Sequence, residues 1–156
     1  MGLLDLASGA SAWKGYEYYK DGKVLLQKKI TDHEYTGTLS GSGKKQYDVF
    51  IDIEHPKKSH CNCPHANGKR IICKHQIALY FSAFPKEADQ YYKEVIEHEE
   101  EEERRQEELE EKVMAYIKGL SKEELRQTLY EVHYNGADWV FERFVREHNI
   151  DSMELR

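Results

Sequence analysis

Apolar bulk is scarce in this chain of 156 residues. Leu, Ile, Val and Phe number 12, 9, 7 and 5, about a fifth of the chain, close to the share below which chains tend to stay disordered. Eleven tyrosines make up part of the deficit. No segment approaches the ~20 consecutive apolar residues of a membrane span, so no spanning helix is expected. Cysteines number only three, an odd count that argues against a disulfide framework. The opening Met-Gly-Leu-Leu-Asp-Leu has neither a basic n-region nor a long apolar h-region, so a secretory signal is not expected. Leu6 stands where a myristoylation signal wants Ser or Thr. There is no internal repeat. The expectation is a soluble, intracellular (cytoplasmic) protein of one modest domain with an appendage. The chain is too short for a multi-domain enzyme.

Charge is unevenly distributed. The net charge of −6 combines about +5 over residues 1–86 with about −11 over residues 87–156. From His55 to Lys86 there is no acidic residue, while Lys57, Lys58, Lys69, Arg70, Lys74 and Lys86 all occur there. All three cysteines lie in this stretch. A basic, cysteine-bearing half followed by an acidic half reads as two functional parts.

Hydrophobic period divides the chain further. Leu3, Leu6, Ala10 and Trp13 recur at helical spacing and predict a helix over 3–20, weakened by Gly9 and Gly15. Three strand-like runs follow, 23–30, 34–39 and 46–53, separated by turn residues. In the third, Tyr47, Val49, Ile51 and Ile53 share one side. A short fourth strand over 58–63 would complete an antiparallel meander. From His75 to Phe84 the apolar residues cover most of a helical circumference, which suits a helix pressed into a core. Pro85 ends that helix or opens the next. Residues 86–118 read as one long helix with ten glutamates and two arginines between 97 and 111. Ser121-Lys-Glu-Glu124 is a capping box opening a further helix, and Asn135-Gly136 ends it. Asp138 is then placed to cap a last helix. The implied division is 1–86 as a compact module, 87–118 as an acidic helical spacer and 119–156 as a helical hairpin.

The chemistry is concentrated in Cys61-Asn-Cys63-Pro-His-Ala-Asn-Gly-Lys-Arg-Ile-Ile-Cys73-Lys-His75, a C-x-C-x9-C-x-H pattern. On a strand, residues two apart point the same way, so Cys61 and Cys63 present two sulfurs on one face roughly 6.6 Å apart at Cα. Pro64 and Asn67-Gly68 let the chain reverse, Cys73 falls just ahead of a helix, and His75 falls in its first turn. The unpaired N–H groups at a helix start favour a thiolate there. Three sulfurs and one imidazole converging in this way suit a closed tetrahedral zinc site, with Cys61, Cys63, Cys73 and His75 as ligands. His65 is the weaker candidate for the fourth position, because Pro64 disrupts the strand face that would aim it. Three merely buried cysteines, or a catalytic Cys–His pair, are the competing readings; for the latter no third orienting residue is identifiable.

This arrangement, with a β-rich lead-in and the helix beginning Cys73-Lys-His75-Gln-Ile-Ala-Leu79, resembles the SWIM zinc finger. The stretch from Gly15 to Val24 is similar to the start of bacterial proteins of that family, and the resemblance spans roughly residues 12–84. It implies one structural Zn²⁺ at Cys61, Cys63, Cys73 and His75. It also implies a module that works beside chromatin-remodelling ATPases, transposases or recombination factors and binds DNA or protein. Residues 87–156 lie outside the motif.

The fold class expected is therefore α+β: an N-terminal helix, an antiparallel β-meander and a ligand-bearing helix forming a small zinc module, followed by an α-helical extension. Two functions compete. One is weak, largely sequence-independent binding of nucleic acid, DNA ahead of RNA, through phosphate contacts from Lys57, Lys58, Lys69, Arg70 and Lys74. The other is a protein–protein adaptor that works through the acidic helix and the aromatics around Trp139, Phe141 and Phe144. A third version joins them, the glutamate tract competing with nucleic acid for the basic module. Neither enzymatic activity, nor a small-molecule substrate, nor a membrane is expected.

Overall fold

A computed structural model describes residues 2–148 and residue 150. The contacts of the chain cluster into two compact units, residues 1–99 and residues 100–156.

The first unit opens with a short 3₁₀ turn, Leu4–Leu6, before helix α1 (Gly9–Lys20). The continuous helix expected over 3–20 is split because the Ser8 side chain accepts a hydrogen bond from the Ser11 N–H and caps a new helix. Strands β1 (Val24–Lys29), β2 (Glu34–Ser40), β3 (Gln46–Asp52) and β4 (His60–Cys61) follow. They form one sheet in the order β1-β2-β3-β4, each pair antiparallel. This is the expected meander, with a shorter last strand. Pro56–Lys58 form a 3₁₀ turn, and the Ser59 Oγ accepts from the Asp52 N–H. At the other end, the Cys63 N–H turns to the Cys61 sulfur, so pairing stops.

Helix α2 (Lys74–Ala83) lies over β1, β2 and β3 and is covered on its other side by α1. That middle position explains the apolar circumference of α2. Ile77, Ala78, Leu79 and Phe81 are wholly buried, and they meet Tyr35, Leu39, Val49 and Ile51 of the sheet in one core. Gly15 allows α1 to approach. A Cβ there would stand 2.5 Å from both Cβ and Cγ2 of Ile77, well inside carbon–carbon contact distance. The glycine that weakens α1 as a helix is thus what lets it pack.

Pro85 opens helix α3 (Pro85–Gly119). The compact unit continues past residue 86 into this helix. Ala88 is fully buried, the ring of Tyr92 stacks on Tyr16 at 5.2 Å, and Tyr91 packs on Phe81 at 5.3 Å.

The second unit contains the rest of α3, α4 (Lys122–Asn135) and α5 (Asp138–Glu147). The capping box at Ser121 is formed: the Ser121 N–H donates to Glu124 at 2.8 Å and the Glu124 N–H donates to Ser121 Oγ at 3.3 Å. Ala137, one residue ahead of Asp138, occupies the cap of α5. Phe144 packs edge-on against His133 at 4.2 Å. Among the described residues of this unit none is buried, and Trp139 and Phe141 are more than half exposed. No helix among the described residues is long and apolar enough to cross a membrane.

Candidate metal centre

Cys61 ends β4, where it pairs with Val49 of β3, and Cys63 follows two residues later. Register holds this segment against the sheet. Beyond the strand, the Asn62 side chain accepts from the Asp48 N–H at 2.9 Å, and the Asn62 N–H donates to the Asp48 carbonyl at 3.2 Å. The chain then wraps on the Cys63 carbonyl, which accepts from the N–H groups of Ala66 and Asn67 at 3.0 and 2.8 Å. Gly68, at φ +70°, completes the reversal in a conformation that L side chains rarely adopt. Cys73 is the N-cap of α2 and His75 lies in the first turn, as the spacing requires.

All four side chains are at least 96% buried. Their donor atoms lie within 4.8 Å of one another. Cys63 and Cys73 sulfurs are 3.8 Å apart, and His75 Nδ1 is 3.8 Å from the sulfurs of both Cys61 and Cys73. Four donors bound tetrahedrally at the usual Zn–S distance would be separated by about 3.8 Å along each edge. The cysteines are free thiols, not a disulfide pair. Three soft sulfurs, one imidazole and edges of this length fit one zinc ion, and the cluster can hold it.

The surroundings hold the donors in place. The Cys73 N–H donates to Gln76 Oε1 at 2.8 Å, while the Cys73 sulfur accepts from the backbone N–H of Gln76, a capping box built with sulfur. The rings of Tyr47 and Tyr18 pack on His75 at 4.9 and 5.4 Å. His75 Nε2 is buried without a hydrogen-bond partner among the described residues, so Nδ1 is the nitrogen turned to the sulfurs. Cys73 is shifted well below the ordinary thiol range. The Cys61 thiol's hydrogen bond is the first cause; burial opposes it, and the His75 ring and backbone N–H groups add to it. That same bond, together with burial, pushes Cys61 up. The shared hydrogen bond thus moves the two neighbouring thiols in opposite directions. A dication bound by all four residues would displace the thiol protons.

The structure brings together Cys61, Cys63, Cys73 and His75 and leaves His65 out. His65 is exposed, on the rim of a cavity of about 370 Å³ that reaches Ser8, Lys14, Cys63 and Cys73. Lys57, Lys58, Lys69 and Arg70 are exposed. Lys74 differs: it is half-buried, its Nζ donates to the Tyr18 hydroxyl at 2.7 Å and it lies 4.1 Å from that ring's centre. The sequence pattern places Tyr47 only on one face of a strand and Gln76 only in the helix after Cys73, and gives neither of them, nor Tyr18, a role at the site. Their roles depend on contacts across the fold, although Gln76 three residues after Cys73 carries the capping-box spacing.

Residues 47–84 match the family model of the SWIM zinc finger. Comparisons with curated proteins and with solved structures gave no match. The match contains all four donors, β4, α2 and all of β3 but its first residue, so the chain carries a SWIM-type zinc-finger segment whose Cys/His cluster can hold zinc.

Proposed function

We propose that the first unit is a nucleic-acid-binding module in which zinc, held by Cys61, Cys63, Cys73 and His75, is structural. The ion would cross-link β4 and its following loop to the start of α2. The observation that carries the binding role is the arrangement of basic side chains around that loop. Lys57 and Arg70, thirteen positions apart in sequence, line one cavity of about 260 Å³ with Leu6, Pro56, Ser59 and Ile72. Lys58 and Lys69 are their exposed chain neighbours. None of these four has a carboxylate within 4.0 Å among the described residues. Unpaired cations around a small depression suit phosphate oxygens, a contact that carries no base information. The module therefore binds DNA, weakly and with little sequence preference, inside a complex that processes it. Its function is binding, not turnover, and its setting is intracellular.

Fluorescence anisotropy with a short duplex and a single strand at low salt tests this. Each duplex phosphate neutralised contributes about −0.9 to the slope of log K against log salt. The Lys57→Ala, Arg70→Ala double variant should flatten that slope by about 2 units. Absence of binding at about 100 µM protein and low salt would refute the reading.

A second reading rests on the second unit. A groove of about 330 Å³ runs between α4 and α5, lined by Leu129, Tyr130, Phe141 and Phe144, and Tyr134 and Trp139 stand exposed nearby. Such aromatic exposure is what an adaptor presents to a protein partner. If that role holds, changing Phe141 and Trp139 to alanine should release a co-purifying protein and leave DNA binding unchanged.

A further inference from the structure

We propose a second divalent-cation site, separate from the cysteine cluster, formed by His33, Glu34 and Asp52 where the β1–β2 turn meets the end of β3. Glu34 and Asp52 are direct cross-strand partners in the β2–β3 register. Like charges placed opposite each other on a sheet are destabilising. Here a third carboxylate joins them, because Glu54 lies 3.6 Å from His33 Nδ1. No lysine or arginine nitrogen comes within 4.0 Å of any of the three among the described residues. Among the described residues their only side-chain nitrogen partners are imidazoles, His33 at Glu54 and His55 at 3.4 Å from Asp52 Oδ2. An imidazole nitrogen is itself a donor that divalent cations take up beside carboxylates.

The donors are held in place. Donor atoms of His33, Glu34 and Asp52 all lie within 4.8 Å of one another, the same limit that encloses the cysteine cluster. Asp52 is 1% exposed, and its Oδ1 accepts from the N–H groups of Glu54 and His55 at 3.0 and 2.7 Å, which fixes the carboxylate and leaves Oδ2 free of backbone donors. Glu34 is positioned by the Thr31 hydroxyl, which donates to it at 3.1 Å. One imidazole with two or three carboxylates selects Zn²⁺, Co²⁺, Ni²⁺ or Mn²⁺ over thiophilic ions such as Cu⁺. His33 and Glu34 are half-exposed, so water completes the coordination on the outer side. A dication here would neutralise the facing carboxylates and pin the β1–β2 turn to the end of β3.

The test is a titration of the full-length protein, already loaded with one zinc, with Co²⁺. A second equivalent should bind and give weak visible bands of an oxygen–nitrogen site, with no sulfur-to-cobalt charge transfer. His33→Ala and Glu34→Gln should each weaken that second event by about tenfold or more and leave the first equivalent and the circular dichroism unchanged. Mn²⁺ should broaden the amide resonances of residues 33, 34 and 52–55 before any others. The proposal is overturned if no second equivalent binds at about 1 mM free cation. It is equally overturned if both variants bind the second ion as wild type does, which would place it on the glutamates of α3.

Discussion

Gly15→Ala adds one methyl group to α1 where that helix lies against α2. The new Cβ would stand 2.5 Å from two carbons of Ile77 and 3.0 Å from the Lys74 carbonyl oxygen. Carbon contacts settle at about 3.5–4.0 Å, so something must move by roughly 1 Å. Neither neighbour is the far end of a flexible side chain: Ile77 Cβ and the Lys74 carbonyl are tied directly to the backbone of α2. Overpacking of this kind costs about 1–3 kcal/mol, and the helix propensity gained from alanine returns roughly 0.5–1 kcal/mol. The net loss expected is about 1–2 kcal/mol. Gly9→Ala in the same helix meets nothing within 4 Å and should be neutral or slightly stabilising. In a unit of this size 1 kcal/mol shifts Tm by about 4–8 °C, so the two variants should melt roughly 10 °C apart. The displacement also reaches the metal centre, because Lys74 sits between Cys73 and His75. Chelator competition should therefore show weaker zinc retention in Gly15→Ala and no change in Gly9→Ala. Equal melting temperatures, or equal zinc retention, would refute the packing argument.

Other outcomes follow from the same contacts. Cys63→Ser should abolish stoichiometric zinc, read by elemental analysis, and unfold at least the segment around the cluster, since metal affinity is folding free energy in such sites. Zinc should also leave as pH falls, because the ligands must be deprotonated; a competition series across pH measures it. Asp52 gives a separate acid signature. Burial pushes its carboxyl up, but the His55 and Glu54 N–H groups and the His55 and His33 rings outweigh burial, and the net shift is downward. A depressed carboxyl adds stability above its unfolded pKa of about 3.9 and loses it as pH falls through the folded value. Asp52→Asn should therefore be less stable than wild type near neutrality, by about 1–3 kcal/mol, with the gap closing in acid; a denaturant series at several pH values checks this. Phe81→Ala should cost about 3–5 kcal/mol, since that ring is fully buried between α1, α2 and the first turns of α3.

The α+β class, the antiparallel meander, the Cys₃His set and the helix that carries its last ligand were all legible without coordinates. Each rests on short-range regularity. Alternation at Tyr47, Val49 and Ile51 marks a strand by its period of two, and a cysteine just ahead of an apolar run marks a helix start. The capping box at Ser121 is readable for the same reason, since its partners stand three residues apart. Less was legible where distant segments meet. Gly15 reads as a weak point in α1 until Ile77 is found against it. Lys74 reads as a surface cation until Tyr18, 56 positions away in sequence, takes its ammonium. The aromatic pairs that join α3 to Tyr16 and Phe81 have no local signature either, and they carry the first unit past residue 86.

Sequence alone determined the donors, their order and the elements that bear them, because those follow from chain spacing over a few residues. Only the tertiary structure decided that Lys57 and Arg70 line one cavity, that His75 lies against Tyr18 and Tyr47, and that His33 meets Asp52 with no lysine or arginine close by. These are juxtapositions of chain segments well separated in sequence. They depend on register and close packing throughout the core, which no local pattern encodes.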